Sequence, residues 1–426
     1  VRLMPADTIF PVKLLIGLCG RMVCAWRSSA EKSGKLFGIE GVVVPYRGFE
    51  FSCKTQFIFT EDAEQALKKQ LLCLKPHKLF VVASQSRFRL ISGVLKELGC
   101  PYVLQTGCMP NPTSEFVDAC AGRIAAECCD FVLGVGGGSV IDAVKATALL
   151  AANPSSGGIW DYVSLQRTPS EPALPIGLVV TVPSTGSESN PSAVITNLQT
   201  KEKLIYTHDS LYPVFSISSP QLTYTLPKET AASGVADILS HLLEQYLHGD
   251  TGVEVSDNML LGVMKAVVQW GPVSLAHPDC YDAKANLLWA SYLAMSRVLA
   301  VGHSENWISH MAEHALSARF ALAHGTGMAL LMPAYMDMIA GTDNCERLTR
   351  LSSQVFGQEN VPAAQLLRTF FSALDLPSSL SGAGIFLSDE ELDACARSAL
   401  PFGPIEVEGL PEFSVEQARE LLHRVR

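Results

Sequence analysis

Charge is scarce in this chain of 426 residues, and it contains no long run of Lys and Arg. Charged residues make up 17% of the chain, apolar residues make up 48%, and the formal net charge is -10. Disordered chains are poor in apolar residues, and proteins that bind nucleic acid need clustered Lys and Arg to contact phosphates. We therefore expect a folded globular protein with no nucleic-acid partner.

Paired cysteines and long apolar runs are also missing. The 12 cysteines include no Cys-x-x-Cys pair, which argues against a cysteine metal site and predicts reduced, buried thiols in a cytoplasmic protein. The apolar run from Leu14 to Gly20 is too short to cross a bilayer, so we expect no membrane partner. Residues 1–50 fit no clear element, and we interpret them as an N-terminal appendage of uncertain order.

Two kinds of periodicity divide the rest of the chain. In residues 51–227 short buried strands alternate with helices, a pattern that predicts a Rossmann-like α/β domain with a parallel sheet. Three shorter strands there, SAVITN, EKLIYT and FSISS, are expected to form an edge or hairpin region. In residues 228–426 the apolar residues recur at helical spacing, which predicts an all-helical domain and a ligand cleft between the two domains.

A glycine-rich segment, LGVGGGSVIDAVK, lies between a predicted strand and a predicted helix. Glycine lets the backbone approach a ligand closely, and the first N–H groups of the following helix favour a phosphate. The spacing matches neither the dinucleotide fingerprint nor a P-loop, and a tightly packed turn would have a similar sequence. We interpret the segment as a phosphate-binding loop.

A second loop, TVPSTGSESNPS, follows another buried strand and is crowded with hydroxyl groups, among them those of Thr185 and Ser187. Small hydroxyls at the C-terminal end of a strand suit hydrogen bonding to phosphate or ribose. An ordinary serine-rich turn has the same composition, so this loop is weaker support for a nucleotide site than the glycine-rich segment.

Two pairs of residues at helical spacing indicate a metal site in the second half of the chain. His310 and His314 are four residues apart, and so are Asp237 and His241. Residues four apart share one face of a helix, and a carboxylate and an imidazole in this arrangement can hold one divalent ion.

A third histidine, His324, follows the second pair. It would lie about 21 Å from His310 along a straight helix, so the two can share an ion only if the chain turns back between them. Gly325 and Gly327 are expected to break the helix and permit that turn. The sequence therefore predicts a site of one carboxylate and three imidazoles, with His314 close to it: Asp237, His241, His310 and His324.

The segment HMAEH allows a different interpretation. It matches the H-x-x-E-H pattern of zinc peptidases, in which Glu313 would be the general base between His310 and His314. A peptidase would need neither the glycine-rich segment nor the pair of Asp237 and His241.

Four motifs together resemble those of the iron-containing (group III) alcohol dehydrogenase family, most closely its butanol dehydrogenase and aldehyde reductase branch. They are GGGSVIDAVK, TVPSTGSESNPSAVITN, GVADILSHLLEQYL and the run from His310 to AHGTG, in the family's order. The resemblance extends from Phe51 to the C-terminus. It implies a dehydroquinate-synthase-like fold, NAD or NADP as cofactor, and Fe²⁺ or Zn²⁺ as metal, and we also expect a homodimer.

The resemblance also implies roles for individual residues. The metal ligands would be Asp237, His241, His310 and His324. The nucleotide would contact Gly137, Gly138, Ser139, Asp142, Thr185, Ser187 and Lys203. His314 would be the catalytic residue beside the nicotinamide and the substrate, where it relays a proton.

The segment ASQSRFR departs from the family, whose members usually carry glycines or an acidic residue there. Without a carboxylate to hold the ribose 2′-hydroxyl, we favour NADP over NAD, with Ser84 and Arg87 as contacts and Arg87 meeting a 2′-phosphate. The expected reaction is hydride transfer between this cofactor and small primary alcohols or aldehydes. Glycerol dehydrogenase or lyase activity on the same fold, and a non-catalytic binding protein, are the alternatives.

Overall fold

A six-stranded parallel sheet with helices on both faces forms the first part of the structure. The computed structural model describes residues 51–248, 253–303, 306–342, 345–407 and 410–426. The strands are β1 Gln56–Phe59, β2 Leu79–Ala83, β3 Tyr102–Gln105, β4 Phe131–Gly136, β5 Ile176–Val180, β6 Ser192–Asn197, β7 Glu202–Thr207 and β8 Phe215–Ser218. The helices of this part are α1 Ala63–Leu74, α2 Gln85–Leu98, α3 Ser114–Glu127, α4 Gly138–Ala152 and α5 Ile159–Leu165. In the sheet the strand order is β1-β8-β5-β4-β2-β3.

The composition of the strands explains the two-sided packing. β2, β4 and β5 are buried along their whole length and consist of apolar residues and glycine, as expected for strands covered on both faces. Along β2, Leu79 and Val81 pack with residues of α1 and α2, whereas Phe80 and Val82 pack with residues of α3 and α4. Alternate side chains of one strand therefore belong to the two hydrophobic layers of the domain.

The direction in which strands are added to the sheet changes between β2 and β4. The chain passes outward from β2 to β3 and then returns to place β4 on the other side of β2. In open α/β sheets ligands bind in the crevice at the carboxyl ends of the strands at such a point. Ser84 follows β2 and Gly137 follows β4, so both segments border this crevice.

The three shorter strands do not form one region. β6 and β7 pair as an antiparallel hairpin, as predicted. The expectation for FSISS is wrong, because β8 lies inside the parallel sheet between β1 and β5. Phe215 and Ile217 are fully buried there, so β8 is a short central strand and not an edge strand.

The second part of the described structure is helical. α6 lies at its centre, is buried from Gly234 to Leu247, and packs against its neighbours α7, α8 and α10. The helices are α6 Lys228–Leu247, α7 Glu254–Ala276, α8 Tyr281–Met295, α9 Ile308–Phe320, α10 His324–Ile339, α11 Cys345–Gln354, α12 Ala363–Ala373, α13 Asp389–Ser398 and α14 Val415–Arg424. Their apolar faces meet in one hydrophobic core.

Among the described residues, α7 is the one helix that is long and apolar enough to cross a membrane. One of its faces, with Leu260, Met264 and Val267, is part of the hydrophobic core. Its exposed positions carry both polar and apolar residues, including Lys265, Gln269, Val255 and Met259.

The change from strands to helices lies between Ser218 and Lys228, close to the predicted division of the chain into 51–227 and 228–426. That division stays a prediction, and the predicted appendage, 1–50, lies outside the described residues. The expected burial of the cysteines is wrong for most of those described, because only Cys120, Cys129 and Cys395 are buried. The other described cysteines lie on partly or fully exposed positions, and all of the described ones are free thiols.

Candidate active site

Three helices bring a carboxylate and three imidazoles to one point. α6 supplies Asp237 and His241 one turn apart, α9 supplies His310, and α10 supplies His324. One ligand atom from each of the four lies within 4.8 Å of all the others. Around an ion bonded at about 2.1 Å, opposite ligands are at most about 4.2 Å apart, so a small inward movement would close the set.

Two of the imidazoles are held so that the same ring nitrogen is left for a metal. Nδ1 of His241 lies 2.8 Å from the backbone oxygen of Asp237, and Nδ1 of His310 lies 2.5 Å from Oε2 of Glu244. The N–H of Ser309 donates to the other oxygen of Glu244 at 2.7 Å and so fixes this carboxylate. Because the oxygens accept, Nδ1 carries the proton and Nε2 keeps its lone pair, which is the usual arrangement around metal-binding histidines.

The third imidazole follows the same rule. Nδ1 of His324 donates to Oε2 of Glu313, and its Nε2 lies 3.5 Å from Oδ1 of Asp237. Nε2 of His310 is buried and has no hydrogen-bond partner among the described residues, and Oδ1 of Asp237, also without a hydrogen bond there, lies 3.1 Å from Nδ1 of His241. Leaving buried polar atoms without a partner is unfavourable, and a divalent cation is the group that would bind both atoms. The site therefore fits a metal ion.

Burial also favours the neutral, metal-binding form of His310. It lowers the pKa of His310 well below the usual range, and His241 and His324 beside it act in the same direction. For His241, burial lowers the pKa, but the nearby Asp237 carboxylate outweighs this and raises it. Carboxylate and imidazole ligands together suit Fe²⁺ or Zn²⁺.

The turn that returns the chain to the site lies before His324. α9 ends at Phe320, Ala321 has a left-handed backbone with φ 52°, and α10 begins at His324 itself. The prediction that the two following glycines break the helix is wrong, since both lie in the first turn of α10. A Cβ at Gly325 would lie 1.9 Å from the backbone oxygen of Ser233 in α6, so this glycine allows close packing of α10 on α6.

The glycine-rich segment forms the predicted strand, loop and helix. β4 ends at Gly136, Gly137 is the N-cap, and α4 begins at Gly138. A Cβ at Gly138 would lie 2.6 Å from the side chain of Thr185, so the two predicted cofactor loops approach each other too closely for any side chain. No described side chain caps α4, which leaves its first N–H groups available to a phosphate.

Lys145 fastens the second loop to α4. This side chain is completely buried, and its ammonium group donates to the backbone oxygens of Ser187, Asn190 and Ser192 at 2.6, 2.8 and 2.7 Å. Oδ1 of Asp142, one turn before it, accepts a hydrogen bond from Oγ of Ser187 at 2.7 Å. Burial lowers the pKa of Lys145 to about 8. The hydroxyl of Ser187, predicted to contact the nucleotide, thus also holds its own loop in place.

A cavity of about 320 Å³ connects the two loops with the histidines. Asp237 lies behind the histidines and is fully buried, and Gly137, Ser84 and Arg87 are not part of the described wall. Apolar side chains, among them Trp307 and Met311, form another part of the wall. The structure brings the following predicted residues together around this one space: Gly138, Ser139, Asp142, Thr185, Ser187, Lys203, His241, His310, His314 and His324.

Ser84 and Arg87 lie at the start of α2, on the other side of the crevice. Ser84 is the N-cap and accepts a hydrogen bond from the N–H of Arg87 at 3.3 Å. The guanidinium of Arg87 donates to the backbone oxygen of Leu222, also at 3.3 Å. Their contact with a nucleotide stays a prediction, which their place at the crevice between β2 and β4 permits.

His314 in α9 and Lys203 in β7 both line the cavity. Burial, and then the charge of Lys203, hold the pKa of His314 well below its usual range, so the ring is neutral. Nδ1 of His314 is buried with no partner in the described part of the chain. The ammonium group of Lys203 lies 3.4 Å from Oε2 of Glu313.

The geometry does not suit the peptidase alternative. Glu313 would need a free carboxylate facing a metal-bound water, but its oxygens accept from His324 and from Ser317. His310 groups with Asp237, His241 and His324, whereas His314 groups with Glu313 and His324. The two histidines of HMAEH therefore do not share a site with a free glutamate between them.

Sequence reasoning missed the residues that orient the ligands. Glu244 could have been found, since Asp237, His241 and Glu244 follow at spacings of four and three and so lie on one helical face. Ser184, whose hydroxyl donates to Oδ2 of Asp237 at 2.5 Å, gave no such signal because its partner is distant in sequence.

The chain is similar to known proteins over most of its length. Residues 54–220 match the family model described as iron-containing alcohol dehydrogenase, and residues 230–425 match the Fe-containing alcohol dehydrogenase family, C-terminal. NADH-dependent butanol dehydrogenase B of Clostridium acetobutylicum is 34% identical over 366 residues, which cover 83% of this chain and 93% of that protein. NADPH-dependent aldehyde reductase YqhD of Escherichia coli is 31% identical over 350 residues, which cover 79% of this chain and 89% of that protein.

Solved structures confirm the predicted fold class. The crystal structure of NADH-dependent butanol dehydrogenase A from Thermotoga maritima has a TM-score of 0.83 and 30% identity, and covers 89% of this chain and 99% of its own. The predicted oxidoreductase of the iron-containing alcohol dehydrogenase type is confirmed as well, and nothing in these relatives supports a peptidase, a glycerol dehydrogenase or a lyase. The chain belongs to the iron-containing alcohol dehydrogenase family.

Proposed function

We propose that this chain is a metal-dependent, NAD(P)-linked alcohol dehydrogenase and aldehyde reductase that acts on small primary alcohols and aldehydes. The observation that carries the proposal is the single cavity: the glycine-rich loop and the start of α4 open into the same space as His241, His310 and His324. A phosphate-binding loop and a metal site in one cavity suit metal-assisted hydride transfer between a nicotinamide and the carbon that bears the substrate oxygen.

Fe²⁺ or Zn²⁺, when bound, supplies Lewis-acid activation of the substrate oxygen. The chain's own residues do the rest. Asp237, His241, His310 and His324 hold the ion, and the first N–H groups of α4 hold the pyrophosphate. His314, neutral and with Nδ1 unpartnered among the described residues, exchanges the proton of the substrate hydroxyl.

The walls of the cavity support the choice of substrate and cofactor. Met295, Trp307 and Met311 give an apolar surface beside the histidines, which suits short alkyl chains. No acidic residue occurs in the segment ASQSRFR after β2, and Arg87 stands at the adjacent start of α2. These two features favour NADPH over NADH.

The decisive experiment combines metal analysis of the purified protein with aldehyde reduction assays. We expect the purified protein to contain bound Fe²⁺ or Zn²⁺. With butyraldehyde as substrate, it should oxidise NADPH faster than NADH, and the absorbance of the reduced nicotinamide measures both rates. Chelation should stop the reaction, and His324→Ala should lose both metal and activity. Full turnover in a metal-free preparation, or no nicotinamide oxidation with any short aldehyde, would rule out the proposal.

Two wider expectations are proposals of the same kind. A homodimer is tested by light scattering of the purified protein, and a cytoplasmic location by fractionation of the cells that express it.

A further inference from the structure

The carboxylate of Glu313 lies between the metal ligands and the part of the cavity that receives the nucleotide. It is fully buried in α9. Its Oε2 accepts from Nδ1 of His324 and lies 3.4 Å from the ammonium group of Lys203, and its Oε1 accepts from the hydroxyl of Ser317. One oxygen atom is therefore shared by a metal ligand and by a lysine that faces the cavity.

The surroundings leave Glu313 little freedom to move. A Cβ at Gly327 would lie 2.7 Å from Cγ of Glu313, so this glycine in the first turn of α10 makes the room that the side chain occupies. The carboxylate is thus held in place by three defined partners, His324, Lys203 and Ser317.

The comparison with Glu244 shows what is particular about this position. Glu244 also accepts from Nδ1 of a metal ligand, His310, and its second oxygen accepts from a backbone N–H. Among the described residues it has no lysine partner, and it is not part of the cavity wall. The described contacts of the Glu244 carboxylate therefore serve one metal ligand, whereas Glu313 has a partner on each side of the site.

We propose that Glu313 is a positioning residue that serves metal binding and nucleotide binding at once, by orienting His324 through Nδ1 and by holding the ammonium group of Lys203 in the cavity wall. The inference rests on the proposed function, since it takes the two ligands to be a divalent ion and a nicotinamide nucleotide. It gives the glutamate of HMAEH a role that is not that of a general base.

Two substitutions separate the two tasks. Glu313→Gln keeps an oxygen that can accept from His324 but no longer balances the charge of Lys203. Glu313→Ala removes both. Loss of the partner that orients a metal-binding histidine lowers metal affinity by about 10- to 100-fold, so we expect that loss in Glu313→Ala and a smaller one in Glu313→Gln. Both variants should bind NADPH several-fold more weakly, because the lysine is no longer held in place.

The two affinities can be measured without turnover. Competition of Zn²⁺ with a chromogenic chelator gives the metal affinity, and the fluorescence of NADPH with the metal-free protein gives the nucleotide affinity. Glu244→Gln is the control for the metal side and should leave NADPH binding unchanged. Lys203→Met is the control for the nucleotide side and should weaken NADPH binding with little change for Zn²⁺.

Each outcome decides the question. The proposal is supported if Glu313→Ala weakens the binding of both Zn²⁺ and NADPH. Glu313→Gln should then weaken NADPH binding to the same extent and Zn²⁺ binding less. A folded Glu313→Ala protein that changes Zn²⁺ affinity alone, NADPH affinity alone, or neither overturns the proposal. Where Glu313→Ala does not fold, a Glu313→Gln protein with unchanged NADPH affinity, or with a Zn²⁺ loss larger than its NADPH loss, overturns it. A wild-type protein that binds neither ligand overturns the proposed function and this inference with it.

Discussion

The two sides of the cavity offer different parts of the polypeptide to the ligands that we propose. On the helical side the proposed ligand atoms belong to side chains, such as Asp237 and His310, and their orientation is fixed mostly by further side chains and, for His241, by a backbone oxygen. On the sheet side the binding surface is backbone at Gly138, and side chains such as Lys145 hold the loops around it. From this comparison we expect metal binding to depend on the chemical identity of the side chains on the helical side. Nucleotide binding should depend on the shape of the backbone on the sheet side.

The strongest test of the comparison is Asp237→Asn, which keeps the shape of the side chain and removes its charge. Oδ1 of Asp237 has no hydrogen-bond partner among the described residues, and the residue is fully buried. Loss of a residue that orients a metal ligand lowers metal affinity by up to about 100-fold. We expect a larger fall in metal affinity when the ligand itself is changed, and a loss of activity with it. Metal content after dialysis measures the first effect.

A matched control changes the neighbour of the same carboxylate. Ser184→Ala removes one hydrogen bond to Oδ2 of Asp237 and no ligand atom, so it should keep its metal at saturating concentration. NADPH binding should be unchanged in both variants. Full metal content in Asp237→Asn would contradict the assignment of the carboxylate as a ligand.

On the sheet side the largest effect is expected from Lys145→Met. The change leaves the backbone oxygens of Ser187, Asn190 and Ser192 without their buried donor, which should lower the free energy of unfolding by about 3 kcal/mol or more. Because the second loop loses its anchor, KM for the nucleotide should rise while metal content stays the same. Denaturant unfolding and steady-state kinetics measure the two effects.

Another buried lysine provides the control for that change. Lys284 donates only to the backbone oxygen and hydroxyl of Ser274 among the described contacts, away from the cavity wall. Lys284→Met should destabilise the fold less and leave KM for the nucleotide unaltered. An equal rise in KM in both variants would show that the effect of Lys145 is general destabilisation.

Gly138→Ala tests whether the shape of the backbone by itself determines nucleotide binding on the sheet side. The added Cβ would lie 2.6 Å from Thr185, so the two loops must move apart. We expect weaker NADPH binding, by on the order of 10-fold, with the metal site intact. Gly262→Ala is the control, because a Cβ there meets nothing within 4 Å in the described structure and should slightly stabilise α7. Unchanged NADPH binding in Gly138→Ala would count against the loop as the phosphate site.

The same difference between the two sides explains what the sequence could predict. The spacing of Asp237 and His241 on one helix indicated the metal ligands, and the glycines between a strand and a helix indicated the loop, because both signals are local. Hydrogen bonds between distant segments, such as that from Ser184 to Asp237, depend on the packed structure and left no pattern to read. The place of β8 inside the sheet was missed for the same reason, since strand order is set by packing of the whole layer.

A different kind of effect, on stability and its pH dependence, is expected from Glu188 in the second loop. Burial raises the pKa of this carboxyl from 4.5 to about 7, and its Oε1 has no partner among the described residues. The folded protein therefore binds a proton at Glu188 more tightly than the unfolded chain does. The stability that results is fully present at low pH and is lost as the pH rises from about 4.5 to about 7. Glu188→Gln imitates the protonated form and should raise the free energy of unfolding by about 3 kcal/mol at about pH 8, but by less than about 1 kcal/mol at about pH 5. Burial also raises the pKa of Glu244, on the metal side, to about 7. Wild type and variant are therefore compared at each pH, so that the difference in the free energy of unfolding reports on Glu188 alone. A variant that gains equally at both pH values would show that Glu188 is charged in the folded loop throughout.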